Sequence, residues 1–318
     1  GPRPDCSNGS MTAALILLNP YAAGGRAAAV ATPMRDWLGV HAPGVALVES
    51  DGVERARAML QALPRASRVV LVGGDGSVNR MLPVLLGRAH TLALVPFGGG
   101  NDTARALGLY PMPWALALPH ALNAPMATID TGELATAGGR VPFVSSLCAG
   151  FDAAVCARAA AGPRWLLGMP RYLWHTLREL AALRTWDARI TVDGVLRHSE
   201  TTLFASTCNT PTFGSGMPAV PQAVIDDGRL DLLLAGCFGC ADTLWMLPQL
   251  LAGTHLRDPR VATWNYEALH VSATTPIPLA ADGEPLEAVD EFEVRVRPKS
   301  LSVVPGPGRA ALQGVPPG

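Results

Sequence analysis

Apolar runs and amphipathic segments alternate through the first part of the chain. The apolar runs, predicted as strands, cover residues 13–18, 45–49, 68–72 and 91–95, and the amphipathic segments, predicted as helices, cover residues 26–38, 53–62 and 78–86. Within 53–62, Ala56, Met59 and Leu60 form an apolar stripe at helical spacing. Strands that alternate with helices in this way predict an α/β domain, with a parallel sheet covered by helices.

Strand-like runs with few helices between them follow from about residue 130. They cover residues 141–146, 188–192, 201–206, 230–234 and 269–273. Asp193-Gly194 is typical of a hairpin turn, and residues 291–297 alternate apolar and polar side chains as a half-buried strand does. We therefore predict an α/β domain over 11–130 and a β-rich domain over 131–289, with residues 1–10 and 306–318 flexible.

Composition limits the classes of function that this chain can have. Its 318 residues are 49% hydrophobic and 16% charged, which indicates a globular protein large enough for two cores. A net charge of −1 predicts no nucleic-acid partner and leaves only local contact with a membrane. The most apolar segment, 232–253, is interrupted by Asp242 and Pro248, so no membrane-spanning helix of about 18 residues is expected. Six scattered cysteines lack paired zinc-ligand spacing and fit a cytoplasmic protein.

Two glycine-rich segments each follow a predicted strand. The first is Gly73-Gly74-Asp75-Gly76-Ser77-Val78-Asn79, and the second is Gly98-Gly99-Gly100-Asn101-Asp102. Successive glycine N–H groups can face a phosphate chain, and a following helix N-terminus adds partial positive charge. The sole lysine is Lys299, so a Walker loop, whose lysine contacts the phosphates, is excluded. The pattern predicts a nucleoside triphosphate held by the backbone.

Together the two segments resemble the catalytic domain of the diacylglycerol kinase family, which includes bacterial lipid kinases and is related to sphingosine and ceramide kinases. The second segment, continued by Thr103-Ala104-Arg105, is the more discriminating, since NAD kinases and phosphofructokinases resemble the first. Further matches are Asn19-Pro20, Gly150-Phe151-Asp152, Asp227-Gly228-Arg229-Leu230-Asp231, Gly253-Thr254-His255 and Asp282-Gly283-Glu284. The resemblance spans about residues 15–304. It implies an NAD kinase- or phosphofructokinase-like first domain, a β-sandwich second domain, and a chain end (about 290–305) that packs back on the first domain.

Phosphoryl transfer needs a positioned γ-phosphate, a divalent cation and a group that takes the proton of the attacking hydroxyl. Asp75 is predicted to be a Mg²⁺ partner, because a carboxylate beside a triphosphate repels it unless a cation lies between them. The alternative role for Asp75 is to cap the helix that follows it. For Asp102, capping of its own following helix is as good an explanation as a contact with nucleotide. The resemblance implies that Glu284 is the general base with Asp282 beside it, whereas Asp-Gly-Glu alone would be read as an ordinary turn.

The resemblance also implies the residues that contact ATP. They are Asn19, Ser50, Gly73, Gly74, Asp75, Gly76, Ser77, Val78, Asn79, Gly98, Gly99, Asn101 and Asp102. For Ser50, a helix cap is the alternative. A structural Mg²⁺ is implied at Asp227 with the carbonyl groups of Val224 and Arg229, where a plain Asp-Gly turn is the alternative.

Two positions depart from the family pattern. Gly99 stands where the family usually has a serine or threonine that contacts nucleotide, and Arg80 stands where bacterial members usually have glutamate. The leading hypothesis is an ATP- and Mg²⁺-dependent lipid kinase. A diacylglycerol-like acceptor is favoured, and a sphingoid base, ceramide or phosphatidylglycerol is also open. The alternatives are an NAD kinase-like soluble kinase and a lipid-binding protein with a degraded kinase site.

The predicted partner is a lipid substrate at the membrane surface, which implies a cytoplasmic protein that associates transiently with the membrane. Residues 164–175, continued by Leu177 and Leu180, combine aromatic, aliphatic and basic side chains. This pattern is typical of an interfacial helix, and equally of an amphipathic helix packed on a core. A homodimer is an open alternative to a monomer.

Overall fold

The computed structural model of the chain describes residues 14–162 and 168–308. Its first part is a parallel sheet in the order β2–β1–β3–β4. The strands are β1 (Ala14–Leu18), β2 (Ala46–Glu49), β3 (Arg68–Gly73) and β4 (Thr91–Pro96), and the helices are α1 (Ala31–His41), α2 (Val53–Ala62), α3 (Asp75–Arg88), α4 (Asp102–Ala106) and α5 (Trp114–Asn123). The predicted α/β domain is confirmed.

Helices cover both faces of this sheet because successive strand side chains point to opposite sides. Leu15 and Leu17 of β1 pack in the core that includes α2 and α3. Ile16 and Leu18 of the same strand pack in the core that includes α1 and α5. Strands β1, β3 and β4 are therefore apolar at nearly every position, as strands buried on both faces must be, whereas the edge strand β2 is only partly buried.

The predicted first helix begins later than its sequence pattern indicates. Residues Ala22–Val30 form a 3₁₀ segment instead, and α1 begins at Ala31. Ala23, Gly24 and Gly25 all have positive φ values (52°, 70° and 90°), which an α-helix does not accommodate. The turn after β1 is therefore longer than predicted.

The second part of the chain is dominated by antiparallel strands. They are β5 (Ala127–Thr136), β6 (Gly139–Phe143), β7 (Ser146–Ala149), β8 (Trp186–Val192), β9 (Val195–Thr202), β10 (Phe204–Cys208), β11 (Leu230–Ala235), β12 (Val261–Tyr266), β13 (Ala268–Ala281) and β14 (Glu284–Val303). The pairing path is β12–β11–β10–β7–β13–β14, with β8–β9 on β13 and β5–β6 on β14. Side chains from both branches enclose one core around Phe143, Trp186, Tyr266 and Phe292. The predicted β-rich domain is confirmed.

Helices that the sequence did not predict lie against these strands. They are α6 (Phe151–Ala161) and α8 (Cys240–Leu251), beside α7 (Gly168–Leu180), which covers the described part of the 164–175 segment. Its residues 164–167 lie outside the described residues. The apolar segment 232–253 is divided between β11 and α8. The predicted Asp193-Gly194 hairpin joins β8 to β9, and both residues have positive φ (46° and 77°), as a type I′ turn requires.

Strand β14 belongs to both parts of the molecule. Most of it pairs antiparallel with β13 and β5, while Ser302 and Val303 pair parallel with Thr91 and Leu92 of β4. Gly306 N–H then donates to the Leu107 carbonyl at 2.7 Å, so the chain is held one residue into the segment predicted to be flexible. Residues 1–10 and 309–318 of the predicted flexible ends lie outside the described residues.

Candidate active site

The two glycine-rich loops touch at the carboxyl ends of β3 and β4. These strands are neighbours, with Gly73 opposite Pro96. A Cβ atom on Gly74 would lie 2.7 Å from the Cα atom of Gly98, and a Cβ on Gly98 would lie 2.7 Å from the Cα of Gly74. No side chain fits between backbones this close, so both positions need glycine.

The second loop presents unused hydrogen-bonding groups. Among the described residues, no acceptor takes the N–H groups of Gly98, Gly99 and Gly100. Asn101 has a left-handed backbone (φ 58°), and its Nδ2 donates to the Gly98 carbonyl at 2.9 Å. The Oδ1 atom of Asn101 is buried without a partner. Free N–H donors suit phosphate oxygens, whereas the orphaned Oδ1 suits a cation or a hydroxyl donor.

Asp75 links the first loop to the second. Its Oδ2 accepts from the Asp102 N–H at 3.0 Å, and its Oδ1 accepts from the Thr103 N–H at 2.9 Å. Asp75 therefore caps a helix, but the helix is α4 of the other loop rather than α3, which Asp75 itself begins. Each oxygen keeps a second lone pair, so the predicted role of Asp75 as a Mg²⁺ partner stays a prediction.

Asp102 ties the second loop to the β-rich domain. Its Oδ1 accepts from the Thr212 hydroxyl at 2.8 Å and from the Gly216 N–H at 2.9 Å, and its Oδ2 accepts from the Ser215 N–H at 3.0 Å. Burial and the nearby charge of Asp75 raise the pKa of Asp102 to about 6, and these hydrogen bonds oppose the shift. The carboxylate does not cap its own helix, so the capping explanation for Asp102 does not hold.

The hairpin between β13 and β14 brings Asp282 under the first loop. Its carboxylate accepts from the N–H groups of Val144, Ser145 and Ser146 at 2.7–3.2 Å and from the Ser145 hydroxyl at 2.8 Å. Asn79 Nδ2 on α3 also donates to it, at 3.0 Å. Burial raises the pKa of Asp282, and these hydrogen bonds oppose the shift. Asp282 is thus bound on several sides and fixes the hairpin to α3.

Glu284 lies just past that turn and faces α3. A Cβ atom on Gly76 would lie 2.7 Å from Glu284 Oε1, so the carboxylate rests against the first loop. Arg80 Nη2 donates to both Glu284 oxygens at 3.1 Å. The structure therefore pairs the predicted base with the arginine that departs from the family pattern.

The remaining predicted nucleotide contacts lie at the same edge of the sheet. Asn19, after β1, donates from Nδ2 to Ser77 Oγ at 2.9 Å, which places it beside the first loop. Ser50, after β2, donates from its hydroxyl to the Gly52 carbonyl at 3.0 Å. That bond is a local turn contact and not the helix cap given as the alternative for Ser50, because no side chain that the structure describes caps the N-terminus of α2. Their contacts with nucleotide stay predictions.

The predicted structural Mg²⁺ site lies away from the loops, in the turn before β11. Asp227 Oδ1 accepts from the Arg229 N–H at 3.0 Å, as in an ordinary Asp turn. Burial and the charge of Asp227 raise the pKa of Asp231 to about 6. The turn contact fits the alternative, and the described part of the chain contains no group of three or more His, Cys, Asp or Glu side chains that could hold a metal, so the ligand set of Asp227, Val224 and Arg229 stays a prediction.

The loop that Asp102 holds was missed in the sequence. Gly214, Ser215 and Gly216 have φ values of 59°, 78° and 92°, and this run of left-handed residues curls the chain over the second glycine loop. Its neighbour Phe213 lines an apolar cavity of about 50 Å³ between α6, α7 and α8, which Asp152 also lines. The Gly-Ser-Gly pattern of 214–216 was the signal that could have identified it.

The comparisons with known proteins agree with this geometry. The diacylglycerol kinase catalytic domain family matches residues 13–134, and the YegS C-terminal NAD kinase beta sandwich-like domain family matches residues 145–305. A diacylglycerol kinase of Mycobacterium tuberculosis is 31% identical over 265 residues, which cover 82% of this chain and 84% of that protein. A probable YegS-like lipid kinase of Shewanella frigidimarina is 27% identical over 262 residues, covering 77% and 78%.

Solved structures show the same fold at lower identity. A putative diacylglycerol kinase from Bacillus anthracis superposes with a TM-score of 0.73 at 19% identity, covering 94% of this chain and 99% of that one. An NAD kinase from Archaeoglobus fulgidus in complex with ATP superposes with a TM-score of 0.54 at 13% identity, covering 95% and 100%. The predicted NAD kinase-like fold is confirmed.

Proposed function

This chain belongs to the diacylglycerol kinase family of lipid kinases, and on that premise we propose that it transfers the γ-phosphate of Mg²⁺-bound ATP to the hydroxyl of a diacylglycerol-like lipid. One observation carries the proposal. The two glycine loops meet with backbone N–H groups free, and Glu284 lies against the first of them. A phosphate-binding surface and a carboxylate that can accept a proton are thus neighbours.

The chain's own groups fit a triphosphate with its cation. The free N–H groups of Gly98, Gly99 and Gly100 would bind phosphate oxygens, and the open lone pairs of Asp75 and Asn101 Oδ1 would hold the cation. When bound, Mg²⁺ neutralises the charge that develops on the phosphates. Asp102 and the loop it holds would keep the second glycine loop in place during transfer.

Glu284 is proposed as the general base. It would accept the proton of the lipid hydroxyl as that oxygen bonds to the γ-phosphorus and the bond to the β-phosphate oxygen breaks, releasing ADP. Asp282 and Asn79 hold the turn that carries Glu284 and act as positioning residues. Arg80 donates to both Glu284 oxygens and therefore competes with the acceptor hydroxyl for them, although each oxygen keeps a second lone pair.

A lipid acceptor is favoured over a soluble one by the apolar cavity next to the loop of residues 212–216. Its lining is almost wholly apolar, from Phe151, Phe204, Phe213, Phe238, Met246, Leu247 and Leu250. At about 50 Å³ it is smaller than an acyl chain, so an acceptor would have to part the surrounding helices.

The test is to incubate the protein with Mg²⁺, γ-labelled ATP and mixed micelles of single candidate lipids, and to measure label in the organic phase. Label in diacylglycerol supports the proposal, and label in a sphingoid base, ceramide or phosphatidylglycerol alone would replace the favoured acceptor. Label transferred to NAD⁺ without lipid would favour the soluble alternative. ATP binding without any transfer would favour a degraded kinase site.

A further inference from the structure

The solvent-facing side of α7 is apolar. Pro170, Trp174, Leu177 and Ala181, at helical spacing along α7 and just past its end, are exposed, whereas His175 and Thr176 are buried. The inner side of α7 is apolar as well, since Leu180 and Tyr172 pack in the core, whereas an ordinary surface helix has a single apolar stripe and a polar outer face. The outer stripe of α7 therefore suits a neighbour that is itself apolar.

Helix α8 is likewise apolar on its outer side as well as on its inner side. Ala241, Leu244, Trp245, Pro248 and Leu251 are exposed along one stripe, and Trp245 is 74% exposed. Asp242, at the N-terminal end, is the charged residue of this helix and is paired with Arg260 at 3.2 Å. Helices α7 and α8 contact each other, so the two exposed apolar stripes lie on neighbouring helices.

The inner sides of the same helices line the apolar cavity. Tyr172 and Thr176 of α7, and Thr243, Met246 and Leu247 of α8, contact it. The two helices thus separate this cavity from the medium outside. An apolar molecule would meet apolar side chains on both sides of this layer.

Positive charge borders the outer stripe of α7. Arg178 stacks over the Trp174 ring at 5.8 Å. It also lines a second, open cavity of about 1040 Å³, together with Arg158, Arg184 and Glu179. Glu179 pairs with Arg158 at 2.6 Å, and no carboxylate among the described residues pairs with Arg178 or Arg184. Two guanidinium groups are therefore free to bind anions beside the apolar stripe.

We propose that the outer faces of α7 and α8, here called the α7–α8 surface (Pro170, Trp174, Leu177, Leu244, Trp245 and Leu251), dock onto a lipid bilayer that contains anionic lipids. The inference rests on the proposed function, since the bilayer is the source of the acceptor. Tryptophan, leucine and a basic rim are the side chains that bind the interface between headgroups and acyl chains. A second copy of this chain would meet like charge at Arg178 and Arg184, which favours the bilayer as the occupant.

The bilayer is supplied as phosphatidylcholine vesicles with or without phosphatidylglycerol, and binding is measured by co-sedimentation without ATP. In the variant Trp174→Gln/Trp245→Gln, we expect the partition coefficient to fall about tenfold or more. Arg178→Gln should lower binding to the anionic vesicles and leave binding to the neutral ones unchanged. Leu116→Gln is the matched control, because Leu116 is 63% exposed on α5 of the other domain, and it should bind as the parent does.

Each possible result either supports or overturns the proposed docking of the α7–α8 surface onto a bilayer. Unchanged binding of the double variant, with the helix content of the parent by circular dichroism, overturns the inference. So does a parent dimer that the same double variant converts to a monomer in sedimentation velocity, since the surface would then join two copies. Blue-shifted tryptophan fluorescence on addition of vesicles, lost in the double variant, supports it.

Kinase activity separates this inference from the proposed function. With a short-chain diacylglycerol below its micelle concentration, the double variant should retain the parent's turnover, because Trp174 and Trp245 line neither the apolar cavity nor the glycine loops. No turnover by either protein, with vesicle binding lost only in the variant, would refute the proposed diacylglycerol acceptor and leave the docking surface standing. Turnover by both proteins with equal vesicle binding would support the kinase activity and overturn the docking surface.

Discussion

Arg80 Nη2 lies 3.1 Å from both carboxylate oxygens of Glu284, 204 residues away along the chain. The pair joins α3 of the first domain to the β13–β14 hairpin of the second. Through this pair Arg80 binds the carboxylate that we propose as the base. Arg80, which departs from the family pattern, is therefore in direct contact with the proposed base. The effect of this pair on activity is the first property to test.

Glu284→Gln should abolish most turnover, because an amide cannot accept the hydroxyl proton. We expect kcat to fall by about 10²–10⁴-fold with lipid micelles, while ATP still binds. Glu287→Gln is the matched control, since Glu287 is exposed on the same strand. Unchanged turnover of Glu284→Gln would refute the assignment of the base.

Arg80→Gln should raise kcat about threefold, because the glutamate oxygens then become free to bind the acceptor hydroxyl. The pair is part-exposed, with side chains 46% and 35% accessible, so its loss should cost less than about 1 kcal/mol of unfolding free energy. Arg55→Gln, which removes an exposed pair with Asp51, is the control. A lower kcat with a higher KM for ATP would show that Arg80 binds phosphate instead.

Asn79→Ala should separate positioning from nucleotide binding. Loss of the 3.0 Å bond to Asp282 leaves the hairpin joined to α3 through Arg80 and Glu284 and therefore held less firmly, so we expect kcat to fall about tenfold and stability to fall by about 1 kcal/mol. Isothermal titration with ATP should give an unchanged Kd. A Kd raised as much as kcat is lowered would make Asn79 a nucleotide ligand.

Gly98→Ala should force the two glycine loops apart, because its Cβ would lie 2.7 Å from the Cα of Gly74. Overpacking of this kind costs about 1–3 kcal/mol, and we expect ATP affinity to fall at least about tenfold. Gly87→Ala in α3 meets nothing within 4 Å and should leave affinity unchanged. Normal ATP affinity of Gly98→Ala would show that the loops do not bind the phosphates.

Loss of the proton from Asp102 should lower the free energy of unfolding as pH rises. Its folded-state pKa of about 6 lies above the ordinary 3.8, so the folded protein binds the proton more tightly than the unfolded chain does. The stability this group gives is complete below pH 3.8 and is lost as pH rises through 6, by about 3 kcal/mol at most. Urea unfolding from about pH 4.5 to 7.5 measures it.

In Asp102→Asn this part of the pH dependence should disappear. A slope remains from Asp231, whose pKa is also raised to about 6, so the curve should flatten without becoming level. Identical slopes in the parent and in Asp102→Asn would show that Asp102 does not titrate in this range.

Short sequence patterns predicted those parts of the site whose structure depends on a single short segment of the chain. The glycine loops are visible because Gly74 and Gly98 follow apolar strands whose ends must meet at one sheet edge. The sequence pattern placed the start of α3 three residues late. In the structure the Gly74 carbonyl already accepts the Val78 N–H at 3.1 Å, so the helix begins at Asp75. Helix α8 was missed because its outer face is as apolar as its inner one, which hides the helical period.

The contacts between distant segments could not be predicted in this way. Asp282 meets the Ser145 N–H across 137 residues, and Asp102 meets the Ser215 N–H across 113. Nothing near either aspartate in the chain indicates these partners. The family resemblance identified the aspartates, and only the folded chain shows that both connect the two domains.

The pairing of β14 with β4 has a consequence for synthesis of the chain. Thr91 on the edge of β4 meets Ser302, which leaves the ribosome 211 residues later. Until then the parallel sheet of the first domain exposes an unpaired strand edge, which is a site for aggregation in a nascent chain. A premature stop before Ser302 would spare every predicted catalytic residue and still leave this edge open.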